Sequence, residues 1–408
     1  MARPVPADPS PRTDAPVISS LHPILGRTGD EVTIEGTHLE GVTKVHFGGV
    51  EATDFLETDG VISVLVPAGA KSGPVGVHCR AGKAASPVEF IAGETHFDPA
   101  VDVAPFNRGQ VKNWPGLTNT GSSCFLNAAI KVLASLKEVD DSLRDHPGDD
   151  AAMAGVRRQL RFTLNYIRLG DRRPADAQDP MRGLIDAFQH HPKLRHHVSD
   201  TQGAGGFDDL VLNDILEVLG LKGKFDIRIK DRSTRDGGSP IPFWQDHPFS
   251  LVVSPDRQIT PSGPSGQVSL DAYISHVTTQ TLATSGMHVN QYPYKVPSTA
   301  RIQLVHMGPK RALEFSPRVG LPLYQVDEAS SSARRIGTMG LIPTALTLRN
   351  RGHMWAAIRG TDGWYVNDDA RKPYKVEASE LNGLLDPQGN LVRETGVIFL
   401  RRTSLVKP

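Results

Sequence analysis

The sequence predicts a multidomain protein in which a small all-β sandwich precedes a larger α+β domain. Short alternating or β-branched runs, separated by turns that contain Gly and Pro, fill residues 16–93. That spacing is typical of a β-sandwich. From Trp114 onward, runs at helical spacing come first and strand-like runs dominate later. A helical first half followed by a strand-rich second half indicates an α+β domain.

Composition narrows the class of protein. The chain has 408 residues, enough for two or three domains, and its 45 basic residues balance 45 acidic ones. Zero net charge argues against a general nucleic-acid or membrane-surface binder. No run approaches the ~18 apolar residues of a membrane span. Two cysteines are too few for a disulfide framework or for a structural zinc site with three or four cysteine ligands.

The N-terminal runs resemble a known module. "PVISSLHP", "GDEVTIEGTHL", "KVHFGGVEA" and "VLVPAGAKSGPVGVHC" are similar to the strand pattern of the IPT/TIG domain, an immunoglobulin-like fold. Such modules usually position or bind rather than catalyse. We expect a disordered segment at 1–14, the IPT/TIG sandwich at 15–93, a linker at 94–112 and a catalytic domain at 113–403.

Cys124 lies where a Gly/Ser loop meets a predicted helix, "TGSSCFLNAAIKVL". Ser122 or Ser123 could cap that helix. A thiol at a helix N-terminus has its pKa lowered by the helix dipole and by unpaired N–H groups. A buried core cysteine would fit the same segment, so this stretch alone leaves both interpretations open.

A nucleophilic cysteine needs a base, and the base needs an orienting group. "HMWAAIR" and "WYVND" are strand-like runs joined by "GTDG", which predicts a hairpin. If residue 359 faces 364, Asp368 falls on the same face as His353, ~7–8 Å away as a diagonal neighbour. Asp369 would then point to the other face. The alternatives are a core histidine and a solvated turn.

These two segments resemble the cysteine and histidine boxes of the ubiquitin-specific proteases. "GLTNTGSSCFLNAAIKVL" is similar to the first box and "GHMWAAIRGTDGWYVNDDARKPYKV" to the second. The resemblance implies a papain-like fold with Cys124 as nucleophile and His353 as general base. It assigns Asp368 to orienting the imidazole and Asp369 to a possible back-up acid. Asn119 would stabilise the oxyanion, although an Asx-turn in "TNTG" would also explain it.

The family residues that contact the ubiquitin tail align less directly with this sequence. The resemblance places tail contacts at Phe207, Asp208, Asp209 and Gly352. The family's own two acidic positions fall on Phe207 and Leu210 in "GGFDDLV", so the neighbouring Asp208 and Asp209 are expected to substitute.

Three departures from the family pattern concern what the enzyme cuts. Ser122 and Ser123 replace the usual Asn-Thr, and Met354 replaces the usual Tyr. The zinc-binding fingers need four cysteines that this chain lacks, so ubiquitin would be held by other surfaces. A fingerless core behind an immunoglobulin-like domain resembles the secreted TssM-type deubiquitinases of Burkholderia.

Two other segments do not indicate a site. "HHPKLRHH", at 190–197, has no carboxylate or cysteine spaced to complete a metal site, and we interpret it as a solvated surface. "QGAGG", at 202–206, lacks the Lys and Ser/Thr of a phosphate loop. We therefore expect neither a metal nor another cofactor.

The leading hypothesis is a deubiquitinase that cleaves isopeptide, and also ester, bonds after the C-terminal glycine of ubiquitin. As a secreted bacterial effector it would act as a monomer in the host cytosol, on ubiquitinated host substrates, and dampen innate immune signalling. One alternative is a protease for another ubiquitin-like modifier. A second is an inactive ubiquitin-binding module, against which the complete Cys–His–Asp set argues.

Overall fold

The computed structural model divides the chain into two compact units, residues 1–96 and 97–408. The structure describes residues 15–58, 61–92, 103–104, 106–173, 177–202, 206, 208–235, 245–248, 250–253, 268–279, 282–284, 287–306, 313–327, 329, 332–350, 352–385 and 391–406. Among these residues, no helix combines the length and apolarity that crossing a membrane requires. The predicted disordered segment at 1–14 lies outside the described residues.

The first unit consists of strands in two sheets. The strands are β1 Val17–His22, β2 Leu25–Gly26, β3 Glu31–Thr37, β4 Lys44–Phe47, β5 Val50–Ala52, β6 Phe55–Thr58, β7 Val61–Leu65, β8 Gly73–Cys79 and β9 Gly82–Ala92. One sheet has the order β1-β3-β7-β6 and the other β2-β9-β8-β4-β5. Alternate residues such as Val32 and Ile34 on β3, and Val75 and Val77 on β8, enter one shared apolar core. This is the period-two pattern that predicted a sandwich.

The second unit begins with helices. They are α1 Cys124–Ala134, α2 Ala151–Leu169, α3 Met181–His190, α4 Arg195–Gln202, α5 Asp208–Val218 and α6 Leu270–Thr279. Short 3-10 helices span Arg108–Asn113, Lys137–Val139, Asp141–Leu143, Gly170–Arg172 and Ala378–Leu381. Every residue of α1 is buried, because other elements pack against it on all sides.

Strands dominate the rest of the second unit. They are β10 Arg228–Arg235, β11 Gln245–Pro248, β12 Ser250–Val253, β13 Val268–Ser269, β14 Leu282–Thr284, β15 Met287–Lys295, β16 Thr299–His306, β17 Leu313–Glu314, β18 Val319–Asp327, β19 Ser332–Arg349, β20 Met354–Arg359, β21 Trp364–Asn367, β22 Tyr374–Val376, β23 Leu384–Leu385 and β24 Leu391–Val406. The largest sheet runs β12-β16-β24-β19-β20-β21-β22, with β18 beside β19 and β23 beside β24. Smaller sheets are β11-β10-β15-β14 and β13-β17.

The large sheet separates two apolar cores. Ala356 and Ile358 of β20 face the core that includes α1, whereas Ala357 between them faces the core that includes α6. A strand buried on both faces is apolar at consecutive positions, as in "WAAI". β20 therefore lies directly against α1, the helix that begins with Cys124.

The expected linker at 94–112 needs correction in its described part. The backbone of Ala104 accepts a hydrogen bond from the Arg168 guanidinium at 2.7 Å, and its N–H donates to the Asn165 side chain at 2.5 Å. Arg108 and Val111 are buried as well. This stretch packs against α2 because its backbone groups find partners there, so it belongs to the second unit.

Candidate active site

Cys124 is the first residue of α1, and the loop before it is tied to the helix by Asn119. The predicted serine cap is wrong: Ser123 occupies the N-cap position, but its side chain makes no capping bond. Instead, the Asn119 side-chain oxygen accepts hydrogen bonds from the Ser123 N–H at 2.9 Å and from the Ser123 hydroxyl at 3.1 Å. The carbonyl half of Asn119 thus has the local structural role that an Asx motif would give it.

Cys124 is 8% exposed, and α1, which it begins, packs against β20. The backbone N–H of Met354, the residue after His353, lowers the pKa of the thiol. Burial nevertheless raises the pKa of the thiol, and the negative charge of Asp369 raises it further. The expectation that the helix end lowers this pKa is wrong for the free protein, because desolvation outweighs the N–H donors.

The hairpin of β20 and β21 has the predicted register. Arg359 pairs with Trp364, which brings the two ends of the hairpin together. There, His353 Nε2 lies 2.5 Å from Asp368 Oδ1, so the predicted pair of base and orienting acid meets. The other Asp368 oxygen lies 3.2 Å from Arg371 Nη1. With Nε2 engaged, Nδ1 is the ring nitrogen left for proton transfer.

Asp369 does not point away from the histidine, and that prediction is wrong. Its φ of +42° is left-handed, a conformation that Asp adopts more readily than most residues, and it turns the side chain back. Asp369 Oδ2 lies 3.9 Å from His353 Nδ1 and accepts from the Asn119 amide at 2.8 Å. Its Oδ1 accepts from the Asn127 amide at 2.7 Å. Asp369 therefore joins the cysteine loop and helix to the histidine hairpin.

The same two segments also meet through their backbones. The N–H of Leu117 donates to the carbonyl of Asp369 at 2.8 Å. Gly116 lies so close to Ala370, the residue after Asp369, that an added Cβ would stand 2.2 Å from the Ala370 backbone. Only glycine permits this approach. The loop that carries Asn119 is thus held against the turn that carries the two aspartates.

A buried lysine supports that loop from the other side. Lys131, two turns into α1, donates to the carbonyl of Pro115, and its ammonium lies 5.8 Å from the centre of the Trp114 ring. Burial lowers the pKa of Lys131 to about 7. The sequence motifs give no reason to expect these positions to act together, and neither Lys131 nor Asn127 has a predicted role.

The residues predicted to contact the ubiquitin tail do not form one exposed surface among the described residues. Phe207 lies outside the described residues, and Gly352 is exposed beside His353. The Asp208 side chain is buried, accepts from the Thr347 hydroxyl and lies 3.8 Å from Arg349 Nη1. Burial raises its pKa. Asp208 therefore cannot reach a bound tail, and that assignment is wrong.

Asp209 is less buried than Asp208 but is also engaged inside the protein. Its carboxylate accepts from the Gln303 amide at 2.6 Å and lies 3.9 Å from Arg349 Nη1. Arg349 in turn contacts Glu394 at 2.6 Å. These contacts join α5 to β16, β19 and β24, so Asp209 has a structural role at the start of α5.

A second cluster of titratable groups lies in the segment interpreted as a solvated surface. His197 Nε2 lies 3.0 Å and His196 Nε2 lies 3.4 Å from the same oxygen of Asp214. The spacing of residues along the sequence indicates no carboxylate that completes a set with these histidines. That prediction is wrong because Asp214 comes from the next helix, α5, and only the tertiary fold brings its side chain close.

Comparisons with known proteins give one family match and two similar solved structures. Residues 16–91 match the family model of the IPT/TIG domain. The N-terminal unit is a TIG domain. No curated protein matches the chain.

Two solved structures are reported as similar to the chain. One is the SAGA DUB module Ubp8/Sgf11/Sus1/Sgf73 bound to monoubiquitin, with 12% sequence identity and a TM-score of 0.48. The other is the same module bound to ubiquitin aldehyde, with 11% identity and a TM-score of 0.48. Each similarity covers 73% of this chain and 71% of the other.

Proposed function

We propose that the second unit is a papain-like cysteine hydrolase of the ubiquitin-specific protease type, which cleaves after the C-terminal glycine of ubiquitin. The observation that carries this proposal is the His353–Asp368 contact of 2.5 Å at the start of β20, the strand that packs against α1. Cys124 is the first residue of α1, and its pKa responds to the Met354 N–H and to the charge of Asp369, the neighbours of His353 and Asp368 in the chain. A nucleophile, a base and an orienting acid in one place are what nucleophilic catalysis by cysteine requires.

The proposed reaction follows from the free atoms of these groups. His353 Nδ1 takes the proton of the Cys124 thiol, and the sulfur attacks the carbonyl carbon of the terminal glycine. The tetrahedral oxyanion is stabilised by the second N–H of the Asn119 amide, since the first is bonded to Asp369. Collapse forms a thioester and expels the amine or alcohol, which takes the proton from His353. Water activated by His353 then hydrolyses the thioester and restores the thiol.

Burial of the thiol suits this sequence of events. In the free protein the raised pKa keeps Cys124 as a neutral thiol, and the sulfur becomes nucleophilic when the adjacent imidazole accepts its proton. The substrate would also displace water from the site, which strengthens the interaction between the thiolate and the imidazolium.

The choice of ubiquitin rests on the resemblance of the two boxes to the ubiquitin-specific proteases. A substrate that ends in Gly-Gly has no side chains there, so it could pass Gly352, where the chain leaves open space. Because acyl-enzyme formation works on esters as well as amides, we include oxyester-linked ubiquitin among the substrates. We further propose, from the resemblance to the fingerless TssM-type enzymes, a secreted bacterial effector that removes host ubiquitin signals in the host cytosol.

The test is reaction with a ubiquitin whose C-terminus carries an electrophile in place of the scissile bond. Wild-type protein should form a covalent adduct of one ubiquitin per chain, detected by intact mass. Cys124→Ala should form none. Cys79→Ala is the matched control because it removes the other cysteine, which lies in the TIG domain, and it should react like the wild type.

The same assay separates the alternatives. If probes ending in another modifier's tail label the protein and ubiquitin does not, the ubiquitin-like modifier becomes the substrate. If ubiquitin binds wild-type protein but no probe labels it, the chain is a binding module. Adducts that persist in Cys124→Ala would refute the assignment of the nucleophile. Fluorescent lysine-linked and threonine-ester-linked ubiquitin then give the preference between isopeptide and ester bonds.

A further inference from the structure

We propose that His196, His197 and Asp214 form a binding site for a divalent transition-metal ion of the Zn²⁺ type. The three residues offer two imidazole nitrogens and one carboxylate oxygen, and all three ligand atoms lie within 4.8 Å of one another. Imidazole and carboxylate are among the ligands that zinc uses in proteins. The site is distinct from the proposed hydrolase centre, and its test does not depend on that activity.

The distances fit a metal ion of this size. Zinc binds histidine nitrogen and carboxylate oxygen at about 2.0–2.2 Å, so two ligands at a tetrahedral angle lie about 3.3–3.6 Å apart. The nitrogen of His197 is 3.0 Å from Asp214 Oδ2, and that of His196 is 3.4 Å from the same atom. The two histidine-to-carboxylate distances are thus within a few tenths of an ångström of those that a bound ion requires, and the two histidine nitrogens lie within 4.8 Å of each other.

The charges around the carboxylate leave one oxygen for the ion. Lys193 Nζ lies 3.8 Å from the other oxygen of Asp214, Oδ1, and makes a closer contact of 2.5 Å with Glu217. Glu217 also contacts Lys222 at 3.0 Å. The lysine charge is thus shared with Glu217, and its contact with Asp214 is to Oδ1. Both histidines approach Oδ2, where the metal would bind.

The two histidine ligands differ in burial: one is enclosed by the protein and the other is accessible to solvent. His197 is 2% exposed, and its ring lies 6.4 Å from the ring of Phe125, the residue after Cys124. His196 is 57% exposed, so an ion could enter from solvent and keep a water molecule as its fourth ligand. A bound ion would hold α4 against α5 next to the first turn of α1.

The experiment measures zinc binding by the full chain in a Cys124→Ala background, which removes the thiolate as a competing ligand. Isothermal titration at pH 7.5 should detect one Zn²⁺ per chain. His196→Ala and Asp214→Asn should each weaken that binding by about 10- to 100-fold, because each removes a ligand atom. His190→Ala is the matched control: it belongs to the same histidine-rich segment but not to the cluster, and it should leave the affinity unchanged.

A thermal measurement guards against variants that fail to fold. Zinc at a concentration well above its dissociation constant should raise the Tm of the parent protein and of His190→Ala, because the ion binds the folded state. It should not raise the Tm of His196→Ala, whose ligand lies on the surface and can be removed without opening the core. Absence of zinc binding by the parent, or binding that His196→Ala and Asp214→Asn leave intact, would overturn the proposal.

Discussion

Two clusters in the second unit are built from the same residue types but are arranged for different chemistry. His353, Asp368 and Asp369 form one cluster, and His196, His197 and Asp214 form the other. In the first, one imidazole lies between two carboxylates whose oxygens are already occupied by amides and Arg371. In the second, two imidazoles converge on one oxygen.

The difference shows that the partners of each atom, more than residue type, determine what a cluster can do. An imidazole that is bonded at Nε2 can accept a proton at Nδ1, and in the proposed reaction the Cys124 thiol supplies that proton. Two imidazoles that share one carboxylate oxygen provide converging ligand atoms instead. Substitutions in each cluster should therefore have distinct effects.

The largest effect should come from Asp368→Asn. Asn cannot stabilise the imidazolium that forms when His353 accepts the thiol proton, so kcat on a ubiquitin substrate should fall by about 10⁴-fold, as for the acid of a serine-protease triad. Asp369→Asn should cost far less, because Asp369 does not contact the His353 ring within hydrogen-bond distance. Steady-state kinetics with both variants measures the contrast. An equal loss in both would mean that Asp369 shares the orienting role.

The Cys–His–Asp set was accessible from the sequence because each of its signals is local. The strand-like runs "HMWAAIR" and "WYVN", with "GTDG" between them, define a hairpin register that places Asp368 beside His353. The periodicity of "CFLNAAIKVL" likewise predicted α1. Such local patterns report which side chains share a face, and that was sufficient for the His353–Asp368 contact and for the start of α1 at Cys124.

What the sequence could not reveal depends on tertiary contacts or on a single dihedral angle. The direction of Asp369 depends on one positive φ, and Asp214 reaches the histidines of α4 only through the tertiary fold. The helix α2 was missed because its buried face carries Arg161 and Arg168, which hydrogen-bond to backbone carbonyls. Charges on a buried face obscure the apolar periodicity that identifies a helix.

Asn119→Ala tests the oxyanion role against a structural one. Loss of an aimed amide donor should lower kcat by about 10²- to 10³-fold with a small change in KM. Asn127→Ala is the comparison, because it removes the other amide that holds Asp369, and the Asn127 N–H groups already donate to Asp369 and to the carbonyls of Leu117 and Thr118. Equal losses in the two variants would indicate that Asn119 acts only by holding Asp369.

Lys131 should make stability depend on pH. Its pKa is lowered to about 7 in the folded protein, from the usual lysine value of 10.5. Between pH 7 and pH 10.5 the unfolded chain therefore binds more protons than the folded one. Stability should therefore rise with pH in that window, by up to ~1.4 kcal/mol per pH unit. Urea unfolding at pH 7.0, 7.75 and 8.5 measures the slope. Lys131→Met should flatten it, and an unchanged slope in that variant would contradict the burial of a titrating amine.

The smallest effect concerns the reactivity of the Cys124 thiol, which should depend on Asp369 of the first cluster and not on Asp214 of the second. The charge of Asp369 raises the pKa of Cys124, so Asp369→Asn should lower that pKa. Because one pKa unit is a tenfold change in the thiolate fraction, alkylation by iodoacetamide at pH 8 should become faster by less than about tenfold. The measurement is the pH profile of alkylation in a Cys79→Ala background, so that only Cys124 reacts. Asp362→Asn is the control, because Asp362 lies in the turn of the same hairpin and contacts Lys375 instead.

An unchanged or raised midpoint in Asp369→Asn would mean that the two amides already neutralise the field of the carboxylate at the sulfur. A lowered midpoint would mean that the protein keeps a negative charge near its proposed nucleophile and so holds the thiol neutral until the imidazole accepts its proton. The charge on Asp214 has no thiol to act on, so Asp214→Asn should leave the alkylation profile of Cys124 unchanged. The same carboxylate chemistry thus has a measurable effect on reactivity in one cluster and none in the other.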